Sequence, residues 1–488
     1  MLAASQWPIL LAAVIGALAV QLLRSTNPDV SWLLTVNERI LAGATPYVDV
    51  IEVNPPASIL LYMFPTIIAK ALSVRAEAVL IVLLTALIAA TLLFVGGIAR
   101  RYGLTTQSDN ILFLAATAFV VAILPLSEFA QREHFAVLFI LPYALVAIAR
   151  AQDAKIAWTD GLASGLLLGL AIAIKPHFAL CAALVAGHEV LRSKSPRPVF
   201  SIEHLTAGAV AIGYLIVSLT FFPKFFSDMA PLLADLYLPA RNGSTFLLAK
   251  IGFAIALPLG LCWIYRNGER RAGVIILLLS AAGFFAAYLI QGKGWDNHAY
   301  PVVAFGLLAA AWAAQQAIGG KPGLWRKLAV FALAAAAVVA IPRFDKPGDG
   351  DPALAAAISK LAPHPKLLAL GFVLRLGHPL TRDIGGTWVG HVPCLWMTGG
   401  AMMMKERVGD DATLRARADA YFERDRLTAA QDIQTQRPDI ILIEKTGGFD
   451  FPDWIAGSPP LRAAMAAYEL ADTVGRVQIF RLRSQPAA

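Results

Sequence analysis

The stretch YVDVIEVNPPASILLYMFP, residues 47–65, decides how the whole chain is arranged. Two carboxylates, Asp49 and Glu52, precede a pair of prolines, and an apolar run over residues 57–73 follows them. If that run crosses a membrane, every later loop changes sides. If it does not, the two acids lie in a long loop on one face. The composition and the charges of the other loops decide between these arrangements.

The composition is that of a membrane protein. The chain has 488 residues, of which 58% are hydrophobic and 15% charged, and its mean hydropathy is +0.63. Soluble globular domains carry about 25% charged residues. The net charge of +8 does not indicate nucleic-acid binding, because the basic residues lie between apolar runs. The cysteines are too far apart for a metal-ligand motif or a disulfide framework: Cys181, Cys262 and Cys394.

Eleven apolar runs approach the length needed to cross a bilayer, which is roughly 20 mainly apolar residues. They lie at 7–24, 76–98, 110–127, 134–150, 158–174, 177–191, 204–222, 246–265, 272–290, 298–318 and 325–342. The first run lacks a preceding basic segment and is long for a signal peptide, so we expect it to be retained. The sequence therefore predicts a mainly α-helical, polytopic membrane protein with about 11 transmembrane helices.

The charges of the loops assign the two faces. If residues 57–73 do not cross, thirteen basic residues fall in short loops on one side: Arg100, Arg101, Arg150, Lys155, Arg192, Lys194, Arg197, Arg266, Arg270, Arg271, Lys321, Arg326 and Lys327. The opposite short loops hold five: Arg132, Lys175, Lys224, Arg241 and Lys293. The positive-inside rule places the first set in the cytoplasm. Crossing by 57–73 would invert this bias, so we interpret the run, which Pro65 and Lys70 interrupt, as a helix along the outer interface.

The chain changes character after Pro342, where it becomes charged and rich in Pro and Gly. Strand-like runs alternate there with helical stretches. The strand-like runs are Lys366–Leu374, Asp439–Glu444 and Val474–Leu482, and Leu414–Arg437 is a helical stretch. We predict a transmembrane domain over residues 1–342, with a first external loop at 25–75, and a small α/β domain over 343–488. An odd number of spans from a cytoplasmic N-terminus places the second domain on the periplasmic or extracellular face of the inner (plasma) membrane.

The loops assigned to the outer face contain groups suited to binding a phosphate. Charges near a membrane are usually functional, and Arg, Lys and His supply the donors that a lipid phosphate needs. The candidate phosphate-binding residues are Arg132, His134, Lys175, His177, Lys293 and His298. Other polar and aromatic residues of these loops are candidates for substrate binding, although Trp and Tyr there are also typical interfacial anchors: Tyr47, Asn54, Arg241 and Trp295.

The carboxylates of the same loops suit acid-base chemistry. A carboxylate near a phosphate-binding cluster can act as general base on an acceptor hydroxyl, while the cations stabilise the leaving phosphate. The absence of HExxH, GxxxxGK[ST], GxGxxG and GxSxG motifs argues against metalloproteases, nucleotide-loop enzymes and serine hydrolases. We expect Pro55 and Pro56 to start the interfacial helix. They would hold Glu52 and Asn54 just above a helix N-terminus, which favours anions.

Four segments together resemble the GT-C glycosyltransferases, such as protein O-mannosyltransferases and lipid A aminoarabinose transferases: NPDVSWLLTVNERILAGATPYVDVIEVNPPASILLY, GLLLGLAIAIKPHF, AQREHF and QGKGWDNHAYP. The resemblance implies a membrane enzyme that transfers a sugar, with inversion, from a polyprenyl-phosphate donor outside the cytoplasm. Asp29 matches the acid after the first span, which is the usual catalytic base of the family, and Asp49 and Glu52 match the acids before the Pro-Pro pair. Val30 stands where protein O-mannosyltransferases have a second acid. This departure argues against protein mannosylation and leaves the base role shared between Asp29 and Glu52.

Two other functions remain open from the sequence. A polysaccharide polymerase or ligase using lipid-linked sugars would have a large external loop between late spans, whereas the long external segments here are the first loop and the C-terminus. A transporter or flippase would favour two similar halves and charges at the bilayer midplane, whereas the charges here lie at the ends of the runs. The expected partners are the lipid-linked sugar, an envelope glycan, lipid or protein acceptor and membrane lipids, with no nucleic acid. No cofactor is assigned, although paired acids are compatible with a divalent cation.

The topology can be tested by cysteine labelling of intact cells. A single cysteine placed at Asp351 should react with a membrane-impermeant maleimide, because the C-terminal domain is predicted to be outside. A cysteine at Ser108, in a predicted cytoplasmic loop, should react only after the cells are permeabilised. The reverse pattern would contradict the topology and the site assignments that depend on it.

Overall fold

The computed structural model describes residues 6–105, 107–264, 271–318, 324–346, 351–407, 409 and 411–483. The chain is mainly helical, and its strands lie in the C-terminal segment. The helices are α1 (Trp7–Leu22), α2 (Pro28–Leu41), α3 (Pro56–Leu72), α4 (Ala76–Arg101), α5 (Gln107–Ala118), α6 (Arg132–Ala151), α7 (Trp158–Ile174), α8 (Ala179–Ser193), α9 (Ile202–Phe221), α10 (Ala230–Leu232), α11 (Ser244–Ile264), α12 (Arg271–Gln291), α13 (Asp296–Ile318), α14 (Leu324–Phe344), α15 (Pro352–Leu361), α16 (Leu380–Asp383), α17 (Trp396–Arg407), α18 (Ala412–Gln436), α19 (Phe451–Ala456) and α20 (Pro459–Met465). The strands are β1 (Lys366–Leu370), β2 (Thr387–Trp388), β3 (Ile440–Glu444), β4 (Tyr468–Val474) and β5 (Val477–Leu482).

The apolar runs of the sequence are all helical in the structure, as α1, α4–α9 and α11–α14. Among the described residues, four helices are both long enough and apolar enough to cross a membrane: α4, α6, α9 and α12. The prediction of a mainly helical chain with a small C-terminal sheet is confirmed. The count of about eleven spans stays a prediction.

The first of two compact units contains these apolar helices, from Met1–Arg24, Ile68–Phe221 and Arg241–Pro347. Helix α6 is buried along almost its whole length. The GxxxG pair Gly165 and Gly169 brings α7 against α9, since a Cβ at Gly165 would lie 2.5 Å from the Glu203 carbonyl oxygen. Small residues at this spacing allow two helix backbones to approach closely.

The second unit combines three separated segments, Ser25–Ile67, Phe222–Ala240 and Gly348–Ala488. Its sheet has the order β2-β1-β3-β5-β4. Strand β1 runs parallel to β2 and β3, and β5 runs antiparallel to β3 and β4. Trp32 and Val36 of α2 share one hydrophobic core with Leu367 and Ile441 of the sheet.

Residues 25–67 of the predicted external loop 25–75 therefore group with the C-terminal segment, which the predicted boundary at residue 342 does not give, and residues 68–75 group with the apolar helices. The assignment of residues 1–342 to the membrane and 343–488 to the outside stays a prediction. The predicted helix over 57–73 is observed as α3, and it starts at Pro56 as expected. The predicted strand from Lys366 ends at Leu370, four residues early. The residue after Leu370 is Gly371, and it is packed so closely that an added Cβ would lie 2.7 Å from the Leu376 side chain.

Candidate active site

Asp29 lies in the first turn of α2, in the second unit. The side chain of Asn27 caps this helix, because its Oδ1 accepts a hydrogen bond from the Asp29 backbone N–H at 2.9 Å. Pro28 suits the first helical position, where a missing N–H costs nothing. A carboxylate in the first turn is stabilised by the helix dipole. Asp29 is half-buried, so the helix start holds it in place while leaving part of it accessible.

Glu52 is completely buried, and both of its carboxylate oxygens accept hydrogen bonds. Trp32 Nε1 donates to Oε2 at 2.5 Å. The backbone N–H and the side-chain amide of Asn54 donate to Oε1 at 2.7 and 2.5 Å. A buried carboxylate needs such donors in place of the water it loses. Trp32 lies three residues after Asp29, on the same side of α2, so Glu52 fixes the loop to the helix that carries Asp29.

Tyr47 and Asp49 shape the turn that leads to the buried acid. Tyr47 has a φ of +64°, and its hydroxyl donates to the Asn54 carbonyl oxygen at 2.9 Å. Asp49 Oδ2 accepts from the Thr45 N–H at 2.8 Å, and this hydrogen bond lowers the pKa of Asp49. The structure thus places two predicted substrate-binding residues, Tyr47 and Asn54, in contacts within the loop itself.

A buried polar cluster in the first unit joins the ends of several apolar helices. Lys175 Nζ donates to Glu133 Oε1, and to Gln291 Oε1 at 2.9 Å. It also lies 3.3 Å from Nε2 of His298. Asn297 Nδ2 donates to the other oxygen of Glu133 at 3.3 Å. A buried ion pair of this kind is sustained only when further hydrogen bonds satisfy both partners.

His298 faces the ion pair through one ring nitrogen. Its Nε2 lies 3.3 Å from Lys175 Nζ and 3.5 Å from Glu133 Oε1. Its Nδ1 is buried and has no hydrogen-bond partner among the residues that the structure describes. Nε2 of His177 is buried and unpartnered in the same sense. Buried polar atoms normally have partners, so these two nitrogens are available to a ligand.

His134 is placed differently from the other predicted phosphate-binding residues. Its Nε2–H donates to the Val121 carbonyl oxygen at 2.8 Å, and its Nδ1 accepts from the Ala130 N–H at 3.2 Å. Both ring nitrogens are therefore engaged by the backbone, and the ring packs 5.8 Å from that of Tyr300. Arg132, also buried, adds its positive charge near Glu133.

The loop between α12 and α13 carries further predicted residues. Lys293 lies between two glycines whose φ values are both +66°, a backbone conformation that glycine adopts without strain. Arg241 braces this loop by donating from Nη2 to a carbonyl oxygen near the end of α12 at 2.7 Å. Trp295 is 45% exposed, and its ring lies 5.3 Å from that of His298.

Sequence analysis did not assign Glu133, Gln291 or Asn297 to the site. The sequence does contain a sign that Glu133 is important. It is an acid within AQREHF at the start of an apolar run, where a charge is costly unless it is paired. No group of three His, Cys, Asp or Glu side chains in the described part of the chain is placed to hold a metal ion.

Comparison with solved structures shows what this fold is similar to. ArnT from Cupriavidus metallidurans in the apo state superposes with a TM-score of 0.55 at 14% identity, over 98% of both chains. ArnT bound to undecaprenyl phosphate gives 0.54 at 15% identity, over the same share of each chain. The arabinofuranosyltransferase AftD from Mycobacteria gives 0.50 at 13% identity, over 99% of this chain and 40% of AftD. This chain has the GT-C fold. No family model matches the sequence, and no curated protein matches it significantly.

The buried ion pair can be tested by a double-mutant cycle on Glu133 and Lys175. Glu133→Gln or Lys175→Met alone leaves one buried charge without its main partner, which should lower the free energy of unfolding by about 3–5 kcal/mol. The double variant should lose less than the sum of the two. The measurement is thermal unfolding of the purified protein in detergent.

The control is the exposed pair Lys224–Asp228, at 3.3 Å. Lys224→Met should change stability by less than about 1 kcal/mol, because exposed pairs contribute little. Additive effects at Glu133 and Lys175 would show that the two charges are not coupled.

Proposed function

We propose that this protein is a membrane glycosyltransferase that moves a sugar from a polyprenyl-phosphate donor to a hydroxyl of an envelope acceptor at the outer face of the membrane. The main support for this proposal is the match of fold with ArnT over 98% of both chains, since the solved structure of ArnT holds undecaprenyl phosphate. The acids of the first loop and the buried donors beside Lys175 provide the groups that such a reaction needs.

Asp29 is the proposed general base. An acceptor hydroxyl is a weak nucleophile, and a positioned carboxylate that takes its proton strengthens it. Asp29 is partly accessible at a helix start, whereas Glu52 is buried with both oxygens hydrogen-bonded. This contrast supports Asp29 for proton transfer and gives Glu52 the role of holding the loop. Asp49, tied to a turn, is not proposed to take part.

The proposed reaction is a single displacement. The acceptor oxygen attacks the anomeric carbon on the face opposite the phosphate while Asp29 takes the hydroxyl proton. The bond between that carbon and the phosphate oxygen breaks, and its electron pair leaves with the polyprenyl phosphate. One displacement inverts the anomeric configuration. The transferred sugar is a hexosyl or pentosyl group.

The leaving phosphate gains negative charge, and the buried donors are proposed to stabilise it. Nδ1 of His298 and Nε2 of His177 each lack a partner among the described residues, and each is proposed to donate to a phosphate oxygen. Arg132 and Lys293 are proposed to add positive charge, and the Lys175–Glu133 pair contacts Nε2 of His298, on the opposite side of the ring from Nδ1. His134 is not included, because the backbone engages both of its nitrogens.

The role of Asp29 can be tested by replacing it with its neutral isostere. Asp29→Asn keeps the shape of the side chain but cannot accept the proton, so turnover should fall by about 10²–10⁴-fold. Binding of the lipid donor and thermal stability should stay close to wild type. The measurements are the rate of polyprenyl-phosphate release and the affinity for the donor.

The matched control is Asp49→Asn, which removes a carboxylate from the same loop and should have a mild effect on turnover. Glu52→Gln should lower both turnover and stability, because an amide nitrogen would then face N–H donors. Near-normal turnover of Asp29→Asn would exclude Asp29 as the general base, whatever the effect of Glu52→Gln.

A further inference from the structure

The C-terminal segment contacts the acid-bearing loop through a short stretch that follows β2. The Ile51 backbone N–H donates to the His391 carbonyl oxygen at 2.8 Å. Arg39 of α2 donates from Nη1 to the Gly390 carbonyl oxygen, and from Nη2 to the Asp49 carbonyl oxygen at 2.8 Å. Backbone atoms of the loop and of the C-terminal segment are thus joined immediately before Glu52.

His391 is itself held by a buried carboxylate of α18. Asp432 Oδ2 accepts from the His391 backbone N–H at 3.0 Å, and its Oδ1 is hydrogen-bonded to the imidazole Nδ1. The Asp432 side chain is 1% exposed. The hydrogen bond to Asp432 raises the pKa of His391, against the opposite effects of burial and of Arg39. Two bonds from one carboxylate fix both the backbone and the ring of a single residue.

The contacts continue from His391 to the proposed base. His391 holds Ile51, the next residue, Glu52, is bonded to Trp32, and Trp32 lies on α2 one turn from Asp29. A second contact fixes the same helix, because Arg382 donates to the two carboxylate oxygens of Glu38 at 2.5 and 2.8 Å.

Cys394 belongs to the same stretch, three residues after His391. Burial raises the pKa of the Cys394 thiol to about 12, and the negative charges of Asp425, Asp29 and Glu52 add to the effect. Charges act on a thiol in this way only over short distances, so the segment around Cys394 lies close to both candidate acids.

We propose that His391 is a positioning residue for the transferase reaction, and that the C-terminal α/β segment is a structural part of the active site. Asp432 holds His391, and the His391 carbonyl oxygen holds the Ile51 backbone N–H. This contact positions Glu52 to accept from Trp32, and through Trp32 it keeps α2 and Asp29 in place. This proposal rests on the proposed function, since it names what positions the proposed base. It assigns a structural task to the C-terminal segment.

The test compares variants of His391 with different amide positions. His391→Ala removes the imidazole contact to Asp432 Oδ1 and keeps the backbone one, His391→Asn places an amide nitrogen near the position of Nδ1, and His391→Gln places one near that of Nε2. The control is Asp439→Ala, since Asp439 makes a similar carboxylate-to-backbone bond, to the Lys366 N–H at 2.8 Å, within the same sheet. All variants are made in the full-length protein.

Two readouts are measured. The first is hydrogen exchange of the Ile51 to Asn54 amides, which should become at least about 10-fold faster in His391→Ala, since a lost contact opens the loop locally. The second is steady-state kinetics, in which kcat should fall by about 10–100-fold through misplacement of the base, with KM for the donor little changed. His391→Asn should restore both readouts. His391→Gln should stay impaired, and the Asp439→Ala control should behave like wild type.

Unchanged exchange in His391→Ala, unchanged kcat despite faster exchange, or equal rescue by Asn and Gln would each overturn the positioning role. Failure of the proposed function gives a different pattern. In that case the wild-type protein transfers no sugar from any donor, while the exchange readout still decides whether His391 holds the loop.

Discussion

The buried carboxylate of Glu52 is the interaction on which the proposed acid loop depends. A fully buried carboxylate costs several kcal/mol unless donors replace its hydration, and Trp32 and Asn54 provide those donors. Since Trp32 belongs to α2, the requirement to satisfy Glu52 fixes the helix whose first turn carries Asp29. The loop is thereby tied to the start of α2 by the groups that satisfy Glu52.

The same physical constraint operates on the polar cluster of the first unit. Lys175 and Glu133 are both buried, and each is retained because the other compensates its charge. The pair also contacts Nε2 of His298, whose Nδ1 has no protein partner among the described residues. The pair therefore positions the buried imidazole that the proposed function assigns to the donor phosphate.

The sequence was sufficient to predict the apolar helices and three of the five strands, β1, β3 and β5. Each apolar run became a helix, and Pro56 starts α3 as its fixed φ requires. The GT-C fold was expected from the resemblance of four segments to that family, and the structural comparisons confirm it.

The contacts between distant segments could not be predicted in this way. The pairing of Ile51 with His391 joins residues far apart in the chain, and no local pattern encodes it. His134 and His298 look equivalent in sequence. In the structure Nε2 of His134 is hydrogen-bonded to the Val121 carbonyl oxygen, whereas Nε2 of His298 contacts Lys175. Glu133 was overlooked as a site residue because an acid does not itself bind phosphate. Its role becomes clear only when its partner Lys175 is known.

The most direct test of the account is a transfer assay with the purified protein in liposomes. The protein would be supplied with a panel of polyprenyl-phosphate sugars and envelope acceptors, and both products would be followed by mass spectrometry. The account predicts that one donor yields free polyprenyl phosphate and glycosylated acceptor in equal amounts. Movement of an intact lipid-linked sugar across the bilayer, without release of polyprenyl phosphate from any donor, would contradict it and indicate a transporter.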